Sequence, residues 1–323
     1  MKIDLRVYRL EFRFPFRIAH GVRTGTHVVY VKVESGNHVG YGEATLPPYL
    51  ADTIESTTNF FSHSYFKNIP DEFIPDQINE EIERLLPGHY PAKAALNMAL
   101  WQCYSSKVGQ TISSLVGIKS LHKPPHSYTL GIGSKEEMKE KLQFGIDNGF
   151  NFFKLKLDGI NDNQVVTDYL SLSNYPFAVD VNQGWKDLAQ ALDIAQFLET
   201  FGCVLIEQPF HKSDVNETRE LRKHISIPLI ADEACQVPGD IKPLTEVFDG
   251  INIKLQKCGG ISPALQMIQI AKEQQMKVLI GCMSESSVGC SAAESLASLC
   301  DWADLDGPWL IKNDPDVELI FRP

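Results

Sequence analysis

A chain of 323 residues with 43% hydrophobic and 22% charged content is an ordinary folding sequence, which excludes the disordered, fibrous and membrane-embedded classes. Its formal net charge of -11 excludes the basic face that nucleic acid or an anionic membrane would demand, so the expected partner is a small molecule. Single cores stop growing at roughly 250 to 300 residues, and two domains are expected.

From the start, MKIDLRVYRLEF alternates apolar and charged residues without a continuous apolar run, so it reads as a strand rather than a signal peptide. No later stretch reaches the roughly 20 apolar residues of a membrane span. A cytoplasmic location is expected. RVYRLEFRF, HVVYVKVES and GNHVGYGEA predict an antiparallel meander, with Gly-Asn supplying turn chemistry. From Ile54 the period becomes helical, and PAKAALNMALWQCYSSKVG predicts a helix closed by its glycine. This α+β capping unit is assigned to residues 1–118.

After KSLHKPPH, short apolar strands alternate with amphipathic helices. HSYTLGIG, NFFKLKL, FAVDVN, CVLIEQP, PLIADEA, GINIKLQ, KVLIGCM and the stretch around WADLDGP predict about eight parallel strands over residues 119–309. SKEEMKEKLQFGIDNG, DLAQALDIAQFLETFG and SPALQMIQIAKEQQM are among the helices between them. The count fits a (β/α) barrel of the α/β class, and a doubly wound open sheet is the other arrangement of the same elements. Residues 310–323 are too few for a domain and are expected to return to the capping unit. Seven scattered cysteines without a CxxC pair point to reduced, mostly buried thiols.

Ionisable residues terminate these apolar strands: Lys154 and Lys156 in FKLKL, Asp180 in FAVDVN, Glu207 in VLIEQP, Asp232 and Glu233 in LIADEA, and Lys254 in INIKL. Barrel strands are buried on both faces, so such charges are costly unless they gather at the C-terminal mouth, where this architecture places its chemistry. Asp180, Glu207 and Asp232 end consecutive strands and would repel one another unless they hold a hard divalent cation such as Mg²⁺. Lys154 and Lys156 share a strand face. Neighbouring amines are expected to push each other toward the neutral, basic form. Lys254 comes from beyond the carboxylate arc, so the lysines would bracket a substrate. Lys257 and Lys272 read instead as exposed helix lysines. Removing a proton beside a carboxylate builds an ene-diolate whose new charge a divalent ion stabilises. Return of a proton to the opposite face inverts the stereocentre.

In KLK at Lys154–Lys156, DVNQGW from Asp180, IEQPFHKSD, ADEA and NIKLQKCGG, the chain resembles the enolase superfamily, in its muconate lactonising enzyme-like subgroup, over nearly its full length. The resemblance implies a modified TIM barrel with an N-terminal cap, Asp180, Glu207 and Asp232 as Mg²⁺ ligands, and Lys156 and Lys254 as the acid/base pair. It gives Lys154 a place in substrate carboxylate binding; lysine bases and Mg²⁺ are that superfamily's known chemistry. Asp304-Leu305-Asp306 in WADLDGP resembles dipeptide epimerases, where the two carboxylates bind the α-ammonium of a dipeptide. Two anions facing one cation suit that substrate and would repel acidic ones. A turn at Asp-Gly-Pro is the plain alternative.

By the same comparison Thr129, Cys282 and Ser284 are substrate contacts, and a homo-oligomer is compatible with the family. Glu285 in the same loop is expected to have a role in the mouth, of unassigned kind. Well-known members act on L-Ala-D/L-Glu from peptidoglycan, which needs a cation for the glutamate side chain. The cap-loop arginine of the familiar pattern falls near Gly21, and Arg23 in HGVRTGTH, a loop expected to reach over the barrel mouth, stands in for it with Arg17. The expected activity is dipeptide epimerisation. The alternatives are o-succinylbenzoate synthase or N-acylamino acid racemase chemistry on the same lysines, and, from another class, a non-catalytic ligand-binding barrel.

Overall fold

Strands β1 (Lys2–Ile18), β2 (Gly21–Ser35) and β3 (His38–Leu46) form an antiparallel meander, with Val7 opposite Val29 and Tyr30 opposite Glu43. The structure is a computed structural model that describes every residue except 19, 20, 49, 120, 121 and 323, and leaves the side chains of 16–18 and 21 undescribed. The Arg17 side chain therefore lies outside the described residues. HGVRTGTH, read as a loop, belongs to β2 from Gly21 onward, where Arg23 pairs with Phe16 across the ladder. Its sequence lacks the apolar alternation that marks a strand, and pairing with the long β1 supplies the order instead.

The meander packs on the helix Tyr90–Val108, which is buried without a break from Pro91 to Trp101. A stretch buried on every side must be covered from both units. Ala95, Leu96 and Leu100 join the core of Val29, Val31 and Val33, whereas Ala94, Met98 and Trp101 join the core of the barrel. Gly40 and Gly42 let the sheet close on this helix, since a Cβ there would lie 2.0 and 1.9 Å from the carbonyl oxygens of Ala99 and Ala95.

The second sheet holds eight parallel strands in chain order: β4 (Tyr128–Leu130), β5 (Phe153–Lys156), β6 (Phe177–Asp180), β7 (Ile206–Glu207), β8 (Leu229–Ala231), β9 (Gly250–Lys254), β10 (Lys277–Gly281) and β11 (Trp302–Asp304). Its two edges meet, because Ser127 N donates to Ala303 O and Ala303 N to Pro125 O, both at 2.9 Å. That contact decides for a barrel over an open sheet. The quoted helical segments form Lys135–Asp147, Leu188–Thr200 and Ile261–Glu273, the first with a Ser134/Glu137 capping box.

Strand alternation then builds the barrel interior in layers. Phe152, Ala178, Leu205, Ile230 and Leu279 form a separate apolar cluster inside it. Two residues further along the same strands come Lys154, Asp180, Glu207, Asp232 and Gly281. The charged layer thus rests on an apolar floor. Beyond β11 the chain runs back to the meander: Ile311 bridges Phe12, and Asn313 Oδ1 accepts from Glu11 N at 2.7 Å. All seven cysteines are free and buried. Among the described residues no helix is long and apolar enough to cross a membrane.

Candidate active site

Three carboxylates meet at the mouth. Asp180, Glu207 and Asp232, all buried, each bring one oxygen within 4.8 Å of the others. Lysines surround them. Lys156 Nζ lies 2.5 Å from Asp180 Oδ2 and donates to Asn182 Oδ1 at 3.2 Å, while Lys254 Nζ lies 2.6 Å from Asp232 Oδ2. β5 and β9 stand four places apart in a ring of eight strands, so Lys156 and Lys254 face the mouth from opposite sides. The acidic trio ends the strands between them.

Lys154 stands two residues before Lys156 on β5. It donates to Asp304 and, at 3.0 Å, to Glu207 Oε2, with Asp180 Oδ2 at 3.7 Å. Burial alone would push this amine toward neutrality, but Asp304, Glu207 and Asp180 outweigh it and hold Lys154 well above its ordinary value. Three carboxylates, more than the second lysine, dominate the charge of Lys154.

The carboxylates divide the same way. Burial, then the charge of Asp180, raises Glu207 to about 7. Burial also works on Asp232, but the ammonium groups of Lys254 and Lys257 outweigh it and hold that carboxyl well below its usual range. Lys257 is a correction. Expected as an exposed helix lysine, it is 5% exposed and donates to Asp232 Oδ1 at 2.6 Å and to the carbonyls of Asp232, Cys235 and Asn252. The short turn Leu255–Cys258 folds it back under the mouth. Lys272 is exposed.

Two partners went unread in the sequence. Asn252 Nδ2 donates to Glu207 Oε1 at 2.6 Å, and its position two before Lys254 on the inward strand face was an available signal. Gln208 Oε1 accepts from Asp232 N and Ala234 N, which fixes the turn after β8.

Across the mouth from β7, Asp304 accepts from Ser127 Oγ at 2.6 Å as well as from Lys154, and Asp306 accepts from Thr129 N at 2.6 Å. Burial, then Asp304, pushes Asp306 up to about 7. Thr129, Cys282, Ser284, Asp304 and Asp306 line one cavity of about 320 Å³ with Lys154, Lys156 and Lys254. The cap contributes Arg23 and Leu50 to its rim, and Arg23 Nη2 donates to Ser284 Oγ at 3.4 Å with its guanidinium 5.3 Å from the Phe12 ring. Glu285 does not line this cavity; it turns toward Met283 N and Gln256.

Residues 2–117 match the family model of the mandelate racemase / muconate lactonizing enzyme N-terminal domain, and residues 137–307 match that of the enolase C-terminal domain-like family. The chain belongs to the enolase superfamily. Among relatives of this enolase-superfamily member, the L-Ala-D/L-Glu epimerase of Bacteroides thetaiotaomicron is 37% identical over 97% of this chain and 82% of its own. The substrate-liganded L-Ala-D/L-Glu epimerase of Bacillus subtilis superposes with a TM-score of 0.90 at 26% identity, covering 97% of this chain and 91% of the other. A dipeptide epimerase from Enterococcus faecalis, complexed with Mg and L-Leu-L-Tyr, gives 0.89 at 26% identity over 97% and 92%. Epimerases are isomerases, and this superfamily member is an enzyme of that class.

Proposed function

We propose that the enzyme is a Mg²⁺-dependent dipeptide epimerase that inverts the α-carbon of the second residue by a 1,1-proton transfer. The observation that carries the reading is the placement of Lys156 and Lys254 on opposed strands, with the acidic trio on the strands between them and Asp304 and Asp306 on the far side. Relatives that act on dipeptides support the substrate class.

The residues fit the metal. Three buried carboxylates converging within 4.8 Å form an all-oxygen donor set, with no nitrogen or sulfur ligand to favour a softer ion. When bound by Asp180, Glu207 and Asp232, Mg²⁺ supplies positive charge beside the substrate carboxylate and so favours loss of the adjoining proton. Lys156 and Lys254 each serve one face of the α-carbon, one taking the proton and the other returning one. Lys154, between Glu207 and Asp304, serves the carboxylate end of the substrate.

With the single α-hydrogen of each diastereomer directed at its own lysine, the other three substituents lie between the two amines. The carboxylate turns to the trio, the amide nitrogen to β11, and the side chain up to the rim. Asp304 and Asp306 hold the α-ammonium of the first residue, near Thr129, Cys282 and Ser284. Arg23 at the rim offers a cation for a glutamate side chain, which makes L-Ala-D/L-Glu, a cell-wall dipeptide, the first substrate to test. In D₂O with Mg²⁺, the α-proton of the glutamyl residue of L-Ala-L-Glu should exchange and the second diastereomer appear by NMR. Exchange of an N-acylamino acid with none in any dipeptide would overturn the reading.

A further inference from the structure

A second buried polar cluster lies between cap and barrel, outside the chemistry just described. Glu43 of β3 accepts from Thr45 Oγ1 at 2.8 Å, from Ser286 N at 3.1 Å, from Ser286 Oγ, and from Gly289 N at 3.3 Å. Ser286 is the N-cap of the helix Ser287–Glu294. A carboxylate from the cap thus meets the positive end of a barrel helix. Gln256 ties the cluster together: its Oε1 accepts from Thr45 N at 3.1 Å, and its Nε2 donates to Glu43 O at 2.8 Å and Glu285 Oε2 at 3.0 Å. The other Glu285 oxygen accepts from Met283 N at 2.8 Å.

Glu43, Thr45 and Ser286 are fully buried, and Gln256 and Glu285 nearly so. A buried polar network of this kind is costly, and apolar packing of the sort that seats the helix Tyr90–Val108 would join the two units more cheaply. What the network adds is direction. It ends in the two loops that flank one side of the mouth: Gln256 stands two residues after Lys254, and Met283–Ser286 follows Cys282 and contains Ser284. None of its hydrogen bonds reaches β5, which carries Lys156.

We infer that Glu43 is a positioning residue: from the cap it sets the β10 loop and, through Gln256, the end of β9 that carries Lys254, while leaving Lys156 untouched. The inference rests on the epimerase reading above. In that chemistry the lysine that removes a proton can return a solvent deuteron before inversion, so exchange from each diastereomer reports the lysine on its own face.

Glu43→Gln keeps the side-chain volume but replaces one accepting oxygen with an amide NH₂, so that Thr45 Oγ1, Ser286 and Gly289 N can no longer all donate to this side chain. The diastereomer served by Lys254 is the one whose exchange is lost in Lys254→Ala. Its exchange should fall about 10-fold or more in Glu43→Gln, and that of the other diastereomer by less than about 3-fold, since displacement of a reacting group is felt only at that group. Gln256→Leu, which cuts the network at its centre, should show the same asymmetry. Equal slowing of both diastereomers overturns the inference, and so does failure of both variants to fold, because either marks a purely structural tie. If the unaltered enzyme exchanges neither diastereomer of any dipeptide, it is the epimerase reading that falls.

Discussion

Replacing Asp306 by Asn probes the ammonium site with the least disturbance to its surroundings. Asp304 is already engaged by Ser127 and Lys154, whereas Asp306 spends one oxygen on Thr129 N and borders the mouth. Asp306 is therefore the carboxylate with charge to spare for an ammonium group, and at 2% exposure that charge is little screened. Removing one partner of a desolvated charge pair costs about 2–5 kcal/mol. A loss of about 3 kcal/mol lowers kcat/KM about 100-fold. An N-acetylated dipeptide has no ammonium to lose, and its exchange should change by less than about 3-fold. Deuterium exchange followed by NMR on L-Ala-L-Glu and its N-acetyl derivative gives both numbers. The pH profile adds a check: burial, then Asp304, pushes Asp306 up to about 7, and only its ionised form attracts an ammonium. For the free dipeptide kcat/KM should fall as pH drops through this region, and Asp306→Asn should lose that limb. Equal losses on both substrates, or none on the free dipeptide, would refute the assignment.

Lys156→Ala and Lys254→Ala should each abolish inversion, with a loss of about 10³-fold or more, while exchange survives in one diastereomer and a different one for each variant; stereospecific exchange in D₂O reads this directly. Gly42→Ala would drive a methyl group against the Ala95 carbonyl, and urea unfolding should show a loss of about 3 kcal/mol as helix and sheet are pried apart. Burial, then Glu285, raises Glu43 to about 7 from an ordinary 4.5, so between these values the folded state holds the proton more tightly than the unfolded one. Glu43 therefore makes stability decline as pH rises through that window, and in Glu43→Gln, compared by urea titration at several pH values, the decline should be shallower.

Much of this fold is written in local periodicity. Period-two alternation gives the meander, and short apolar strands between helices give the barrel units, because burial on one face or on both leaves different patterns. Closure is not local: it depends on Ser127 and Ala303, 176 residues apart, finding each other, and the strand pattern is compatible with an open sheet until they do. Arg23 lies on a strand rather than in a loop for a related reason, since residues 21–27 are paired with β1 rather than held extended by their own propensities.

The charges of the site were legible because a charge on a barrel strand has so few tolerable places. Lys154, Asp180, Glu207 and Asp232 each follow by two an apolar residue of the barrel floor, and that spacing alone turns them inward above it. Lys257 lacked such a frame. Beyond the strand it looked like any helix lysine until the turn carried it beneath Asp232. Gln256 and Glu43 are harder still. An amide has no preferred depth, and the hydrogen bond from Gln256 Nε2 to the Glu43 carbonyl spans 213 residues of sequence. The same argument covers protonation: Lys154 is held cationic by Glu207 and Asp304, 53 and 150 residues away, so its charge could not be deduced from the lysine two positions along its own strand. Chemistry set by a residue's own strand position can be read from sequence, whereas chemistry set by partners across the barrel or across the cap seam requires the fold that assembles them.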